Sequence, residues 1–332
     1  MTRTSLPWGA MARLAGRRAL FAVPVLLVVT FGVFAIAAAS PFDPVKAYAG
    51  TAALGADQET LDRLRANLGA DEPFAAHWWH WLTSALTGDL GRSSVLRQPV
   101  AQVIGERLAW STLLCAVAFV GAVLMGTLLG VLAARRPGSW LDRAVTSLAY
   151  TLEAAPVFWI ALLAIWLFAL QLDILPAGGL TDTASETVTA SQVTSHLVLP
   201  AGVLAVSQLP WFTLYVRQGV ADALAEDPVR GARARGLSEH TVLLGHALRS
   251  GLLPVLTLIG SRVPELITGA LLVESVFSWP GIAAATVEAA TAVDFPLLAA
   301  LTTLATAAVL AGNLLADLLY GLIDPRVKLS EM

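Results

Sequence analysis

Apolar residues gather in six long runs, at residues 19–39, 110–133, 144–170, 196–216, 252–277 and 297–323. Each is near or above the ~20 residues that an α-helix needs to cross ~30 Å of hydrocarbon. The pattern predicts an all-α polytopic membrane protein with six transmembrane helices. The first run follows Arg13, Arg17 and Arg18 and ends near Ala37-Ala38-Ala39, which also fits a secretory signal. Its apolar region exceeds the ~7–15 residues of a signal core, so a retained span is expected.

The segment between the first two runs, residues 41–106, is charged, aromatic and punctuated by glycine. It cannot span, and it reads as a small external subdomain after a first unit of residues 1–40. Leu61, Leu64 and Leu68, then Trp78, Trp81, Leu82 and Leu86, recur at helical spacing and predict two short amphipathic helices. The cluster His77-Trp78-Trp79-His80-Trp81 has two readings: imidazole ligation of a metal or haem, or an interfacial aromatic belt and packing surface. The second is preferred, because Trp is the residue of membrane–water boundaries.

Residues 107–323 form the remaining core, and one stretch inside it, 217–251, breaks the apolar pattern with polar, arginine-bearing sequence. Asp227-Pro228 suits a helix start, since Asp accepts orphan backbone N–H bonds and Pro at the first helical position forfeits none. Gly236 offers a left-handed stop, and Ser238 caps a second helix whose entry Leu237 and Val242 would staple. Two short helices meeting at Gly236 are expected.

Composition agrees with the spans: 56% of the 332 residues are hydrophobic and only 14% charged, against ~25% in soluble domains. The net charge of −3 says little; the placement of basic residues says more. With the N-terminus in the cytoplasm, Arg13, Arg17, Arg18, Arg135, Arg136, Arg143, Arg217, Arg230, Arg233, Arg235 and Arg249 all lie inside, as does the tail 324–332 with Arg326 and Lys328. The two later external loops then hold no Lys or Arg, so both termini and the 217–251 loop of this multi-pass protein are expected to be cytoplasmic.

The chain carries little reactive chemistry. Both lysines, Lys46 and Lys328, follow a valine, so neither completes the Gly-Lys-Ser/Thr of a nucleotide-binding P-loop. HExxH and GxSxG are missing, and Cys115 is the only cysteine. His240 and His246 read as solvated helix residues. Glu153, Arg262, Glu265, Glu274 and Asp317 fall within or at the ends of spans and leave an intramembrane enzyme or an ATP-independent transporter as rival classes. An enzyme would need a reactive group beside a positioned base, and no such pair is recognisable.

Several motifs in order resemble the permease subunits of binding-protein-dependent ABC importers, in the dipeptide/oligopeptide/nickel branch, of the type with the larger first external segment. They are Arg17-Arg18 with Val23-Pro24-Val25-Leu26, Asp43-Pro44-Val45, Leu64-Arg65 with Leu68-Gly69, Trp81-Leu82, Gly88-Asp89-Leu90-Gly91 with Ser93, Phe158-Trp159, and Leu175-Pro176-Ala177-Gly178-Gly179. Glu274 through Gly281 and Asp324-Pro325-Arg326 complete the set. The most specific match is Asp227 to Ser238, which is similar to the family's EAA loop. The resemblance implies that Asp227, Arg230, Gly231, Ala232, Arg233, Ala234, Arg235, Gly236, Leu237 and Ser238 form a coupling helix seated on a separate ATPase. It also implies that Glu274, Trp279, Pro280 and Gly281 mark an external gate after the fifth span.

The implied partners are a second permease subunit, two ATP-binding subunits that handle ATP and Mg, and an extracytoplasmic substrate-binding protein. No cofactor on this chain and no nucleic-acid partner is implied. Short peptides are the expected cargo, with nickel, glutathione and haem as alternatives.

The chain departs from the family pattern at Phe42, Pro228 and Gly231, and again at Arg262, Pro264 and Glu265 within a span that is usually apolar. Charges in a span face a cavity or a partner. Arg262 and Glu265, three apart on one helix, therefore either line the pathway and meet the charged ends of a peptide, or neutralise each other across a helix interface.

Overall fold

The computed structural model describes residues 8–39, 57–67, 73–181, 188–292 and 294–323. Among these the backbone is helix and loop, apart from one isolated bridge between Arg92 and Pro99. The order is α1 (Trp8–Ala38), α2 (Gln58–Asn67), α3 (Phe74–Leu86), α4 (Val100–Ala134), α5 (Trp140–Ala154) and α6 (Val157–Ala164), which runs on as a wider π-type turn to Gln171. Then come α7 (Ala190–Ala225), α8 (Asp227–Ala234), α9 (Glu239–Val242), a π-type turn Leu243–Ala247, α10 (Leu248–Gly251), α11 (Leu253–Val276), α12 (Ile282–Thr291) and α13 (Phe295–Ile323). Asp43-Pro44-Val45, Leu68-Gly69, both lysines and Asp324-Pro325-Arg326 lie outside the described residues.

Long helices underlie the apolar runs, but their ends fall elsewhere. Among the described residues, four stretches are long and apolar enough to cross a membrane: Met11–Ala38, Val100–Ala134, Ala190–Ala225 and Phe295–Leu318. The second begins at Val100 rather than residue 110, because Val100 and Val103 are buried and extend the helix inward from the polar side. At ~1.5 Å per residue its 35 residues reach ~52 Å, longer than the ~30 Å of hydrocarbon, and the excess falls at the Val100 end, ahead of the apolar run 110–133.

The expected third span, 144–170, is not continuous. α5 and α6 meet at a 105° bend. Ala155 takes an extended ψ of 129° before Pro156, whose ring disfavours a helical residue ahead of it, and the helix ends there. The fifth run forms α11, 24 residues long, but Arg262 and Glu265 lie at its middle and it is not among the four apolar stretches. The six expected spans are thus four unbroken apolar helices, one broken pair and one helix with a charged middle.

Contacts divide the chain into two compact units, Met1–Gly16 with Thr112–Trp279 and Ala311–Met332, and Arg17–Ser111 with Pro280–Leu310. In the first, α7 is the core helix. More than half of its most apolar window is buried, 56%, against 11% for α1. Gly126 and Gly130 on α4, one turn apart, bring that helix against the Phe212–Arg217 backbone, the small-xxx-small device of membrane helix pairs. Ala122, Phe212, Val216, Val220, Leu243, Val255 and Leu258 fill the space around it.

The turn between α4 and α5 is fastened to α7 by one carboxylate. Asp142 accepts from Arg217 Nε at 2.9 Å, from Arg217 Nη2 at 2.8 Å and from the Gly138 N–H at 2.7 Å, while Ser139 caps α5. The Asp142 side chain is only 5% exposed, so a two-pronged guanidinium partner is what makes its burial tolerable.

In the second unit, Phe34, Trp81, Val100, Val103, Ile282, Ala285, Leu297 and Leu301 form the core. The His77–Trp81 cluster is mainly packing. Trp81 is buried, Trp78 Nε1 donates to Thr30 Oγ1 at 3.1 Å, and the His77 ring lies against Phe34 and Phe295. Trp79 is exposed. Asp294, absent from the sequence reading, proves to be the anchor of the Gly88–Ser93 motif. It is fully buried and accepts from Ser93 Oγ at 2.7 Å and from the Val95 N–H at 3.2 Å, while its other oxygen caps Leu297 N–H at 3.2 Å.

Candidate functional site

α7 ends at Ala225, where Glu226 turns extended (ψ 155°), and α8 starts with Pro228 in its first turn. Eight residues is too short a helix to be stable alone in water, so its buried stripe must hold it. Val229 (2% exposed) and Ala232 (fully buried) supply that stripe and pack with Ala223, Val242 and Ala247. The opposite face is left to solvent: Asp227, Arg230, Gly231, Ala234, Arg235, Gly236, Leu237 and Ser238 are all exposed. Of the ten residues expected to couple, only Ala232 faces inward; it seats the helix instead of presenting a surface.

The stop at Gly236 follows from the backbone. Gly236 has φ +78°, its N–H donates to the Arg233 carbonyl at 2.9 Å, and the Leu237 N–H donates to the Ala232 carbonyl at 3.3 Å. This is the paired-bond Schellman ending with a left-handed residue after the cap. Ser238 Oγ then accepts from the Thr241 N–H and opens α9, as expected. The staple does not form: Val242 is buried in the α8 cluster, whereas Leu237 stays 38% exposed. Its side chain belongs to the outer face.

The three arginines between Asp227 and Ser238 divide by role. Arg233 is engaged within the chain, with Nε to Glu239 Oε1 at 2.9 Å, Nη2 to Glu239 Oε2 at 3.0 Å and Nη1 to the Leu224 carbonyl at 3.5 Å. This donated pair of hydrogen bonds holds the Glu239 carboxyl below the usual glutamate range. Arg230 makes only a loose contact with Asp227 at 3.6 Å, and Arg235 has no partner among the described residues. Of these three, Arg230 and Arg235 are therefore the cations free to meet another molecule.

Behind the loop, α10 crosses α7 backbone to backbone. A Cβ on Gly219 would stand 2.3 Å from the Gly251 carbonyl oxygen, and a Cβ on Gly251 would stand 2.8 Å from the Gly219 oxygen. No L side chain fits either position, so loop and core helix touch without an intervening layer.

Deeper in the same unit, Arg262 and Glu265 are brought together as an ion pair, and the Arg262 guanidinium lies 3.9 Å from the centre of the Trp211 ring on α7. The Arg262 side chain is 16% exposed and that of Glu265 51%, so the carboxylate faces open space while the cation is covered. Arg262 Nε is buried with no hydrogen-bond partner among the described residues. Trp211 was not foreseen; its one signal is its place after Pro210 inside a span.

At the far end of α11, Glu274 (1% exposed), Phe277 and Trp279 are buried, Ser278 takes φ +50°, and the Trp279 N–H donates to the Glu274 carbonyl at 2.9 Å. The Leu175–Gly179 loop clasps this end: Gly179 N–H donates to the Phe277 carbonyl at 2.8 Å, and His196 Nδ1 lies 2.9 Å from the Gly178 carbonyl. Pro280 follows, and Gly281 precedes α12 as its N-cap. Glu153 is exposed at the end of α5.

Residues 126–329 match the family described as binding-protein-dependent transport system inner membrane component, and residues 11–112 match the N-terminal region described for the same systems. The oligopeptide transport system permease protein AppB of Bacillus subtilis is 35% identical over 319 residues, covering 96% of this chain and 100% of that protein. The glutathione transport system permease protein GsiC of Salmonella choleraesuis is 33% identical over 312 residues, covering 94% and 97%. With the family match spanning more than half its length and relatives aligned nearly end to end, the chain belongs to the inner-membrane permeases of binding-protein-dependent ABC importers.

Proposed function

We propose that this permease forms half of the translocation pathway of an importer for short peptides, and that the exposed face of α8 through Leu237 seats one of two separate ATPase subunits. The partner ATPases bind ATP and Mg, a second permease completes the pathway, and an extracytoplasmic binding protein delivers the cargo. The observation that carries the docking role is the contrast across α8, with Val229 and Ala232 sealed inward and Arg230, Gly231, Ala234, Arg235 and Leu237 left outward. A solvated surface helix has no need of an exposed Leu beside small residues; an interface that admits a second backbone does. The concentration of basic residues on one side of the spans supports cytoplasmic termini and a cytoplasmic loop.

Peptide cargo is supported by the oligopeptide permease relative. The glutathione permease relative favours a second cargo of the same chemistry, since glutathione is itself a small peptide-like zwitterion. Arg262, Glu265 and Trp211 are the pathway residues of this reading: the half-exposed Glu265 meets a peptide's amino end, and Arg262, held by Trp211, meets its carboxylate. Glu274 through Gly281 act as the outer gate.

The test is uptake by the reconstituted complex with its binding protein. Arg262→Leu and Glu265→Gln should lower uptake of zwitterionic peptides more than that of end-capped ones. Unchanged preference in both variants would leave only a helix-locking ion pair. ATP-independent uptake would reject the importer mechanism.

A further inference from the structure

A cleft of about 670 Å³ opens between the α4–α5 turn and the α8–α9 loop. Its size falls within the ~300–1,000 Å³ typical of small-molecule sites. Its walls are of two kinds. Arg135 and Arg136 line it from the turn, both exposed and both without a partner among the described residues. Leu132, Leu141 and Leu243 give it an apolar floor, and Trp140, 79% exposed, stands at its lip. The Arg233–Glu239 pair closes the opposite side.

Three features limit what fits there. The turn follows directly on α4, an apolar span that ends at Ala134, so the cleft lies at a membrane–water boundary. It is held in shape by Asp142, which ties the turn to Arg217 and to the Gly138 N–H. Its charge is split: two unpaired guanidiniums beside an apolar floor and an indole. A soluble anion would satisfy the arginines and leave the leucines and Trp140 wet; a hydrocarbon chain would do the reverse.

We propose that this cleft seats an anionic phospholipid, with the headgroup phosphate on Arg135 and Arg136, the upper acyl region on Leu132 and Leu141, and Trp140 at the interfacial level. Guanidinium matches phosphate oxygens in a fork, and basic pockets between transmembrane helices are the expected seats of such headgroups. A lipid held here touches Leu243 and the Arg233–Glu239 pair, so it braces the docking loop from the membrane side.

The experiment places the full chain with its partner subunits in phosphatidylcholine vesicles and titrates in brominated phosphatidylglycerol. Brominated phosphatidylcholine serves as the control. Subtracting the quenching of the Trp140→Phe complex isolates the signal of Trp140 from the chain's nine other tryptophans and from those of the partner subunits. Two basic side chains at an anionic surface should lower the half-quenching mole fraction roughly thirtyfold relative to the control. The Arg135→Ala/Arg136→Ala double variant should abolish that preference. Equal quenching by the two lipids, or a preference that survives in the double variant, overturns the proposal. Loss of ATPase copurification in the double variant with lipid preference intact would instead make the cleft a protein contact, which also overturns it.

Discussion

Replacing Gly231 or Gly236 separates conformational from steric demands on the docking face. At Gly236 the φ of +78° is the difficulty, since an ideal Cβ there meets nothing within 4 Å. Ala at this position therefore costs only the left-handed penalty, about 1 kcal/mol, or roughly fivefold in the equilibrium between the seated and frayed loop. At Gly231 the conformation is helical and a Cβ again meets nothing within 4 Å. Ala there should stabilise α8 by ~0.5–1 kcal/mol, because glycine is a poor helix former. In the free chain, then, Gly231→Ala gains slightly and Gly236→Ala loses slightly, and a larger side chain at residue 231 starts from a Cβ in open space on the exposed face of α8.

On the proposed docking face the order changes. Gly231→Trp places an indole where a partner's backbone must approach, so it should insert and express like the parent chain yet abolish ATPase copurification and uptake. Gly236→Ala should weaken association by no more than about fivefold, the loop-fraying factor alone. The assays are pull-down of the ATPase after mild solubilisation and ATP-driven uptake in proteoliposomes. If Gly231→Trp supports association and transport at the parent level, the exposed face of α8 is not the docking surface, and the argument from its small residues is wrong.

Three further outcomes follow from the same geometry. Gly251→Val should disrupt the α7–α10 crossing, because a Cβ there lies 2.8 Å from Gly219 O and Val220 Cα; overpacking of this kind costs ~1–3 kcal/mol and should lower the detergent melting temperature of the chain. The Arg233–Glu239 bonds depress the Glu239 pKa, so their contribution is complete above the ordinary glutamate value and is lost as pH falls through the lowered one. Hydrogen exchange across residues 227–242 should thus be insensitive to pH near neutrality and rise only in acid, with Glu239→Gln removing the acid transition. Asp294→Ala strands Ser93 Oγ and the Val95 N–H in a buried site, at ~1–3 kcal/mol for each group left unmade, and should destabilise the chain more than Asp294→Asn, as thermal unfolding in detergent would report.

Much of the local geometry of the loop was legible because short-range stereochemistry decides it. Asp227-Pro228, Gly236 and Ser238 each act within a few residues, and each does what its residue type requires. The staple at Leu237 was misread because the N-cap pattern alone does not say that Val242 is already claimed by Val229 and Ala232 from α8. Pro156 carries the signal for the break after Ala155, but the expected span 144–170 rests on hydropathy, which counts apolarity and not backbone angles. Arg217 was read as a topology signal, and its two-pronged hold on Asp142 could not be found from sequence, since 75 positions separate the partners. Trp211 over Arg262 and Asp294 under Ser93 are pairings of the same long-range kind.

Those distant pairings bear on the proposed coupling role. α7 and the chain through α10 and α11 meet at three levels: Gly219 against Gly251 beneath the docking loop, Trp211 against Arg262 at mid-helix, and His196 with the Gly178–Gly179 loop on the Phe277 end. The first contact has no side chain to compress, so any displacement of the loop there must move one backbone against the other. The second is a ring face beneath a planar cation, which can slide without unmaking a directional bond. The third is made of directional hydrogen bonds to single carbonyls, which either hold or release. On the proposed coupling role, a rigid contact near the loop, a sliding one in the middle and a releasable one at the far end would carry a displacement along the helix pair as a switch between discrete packings, not as a continuous deformation.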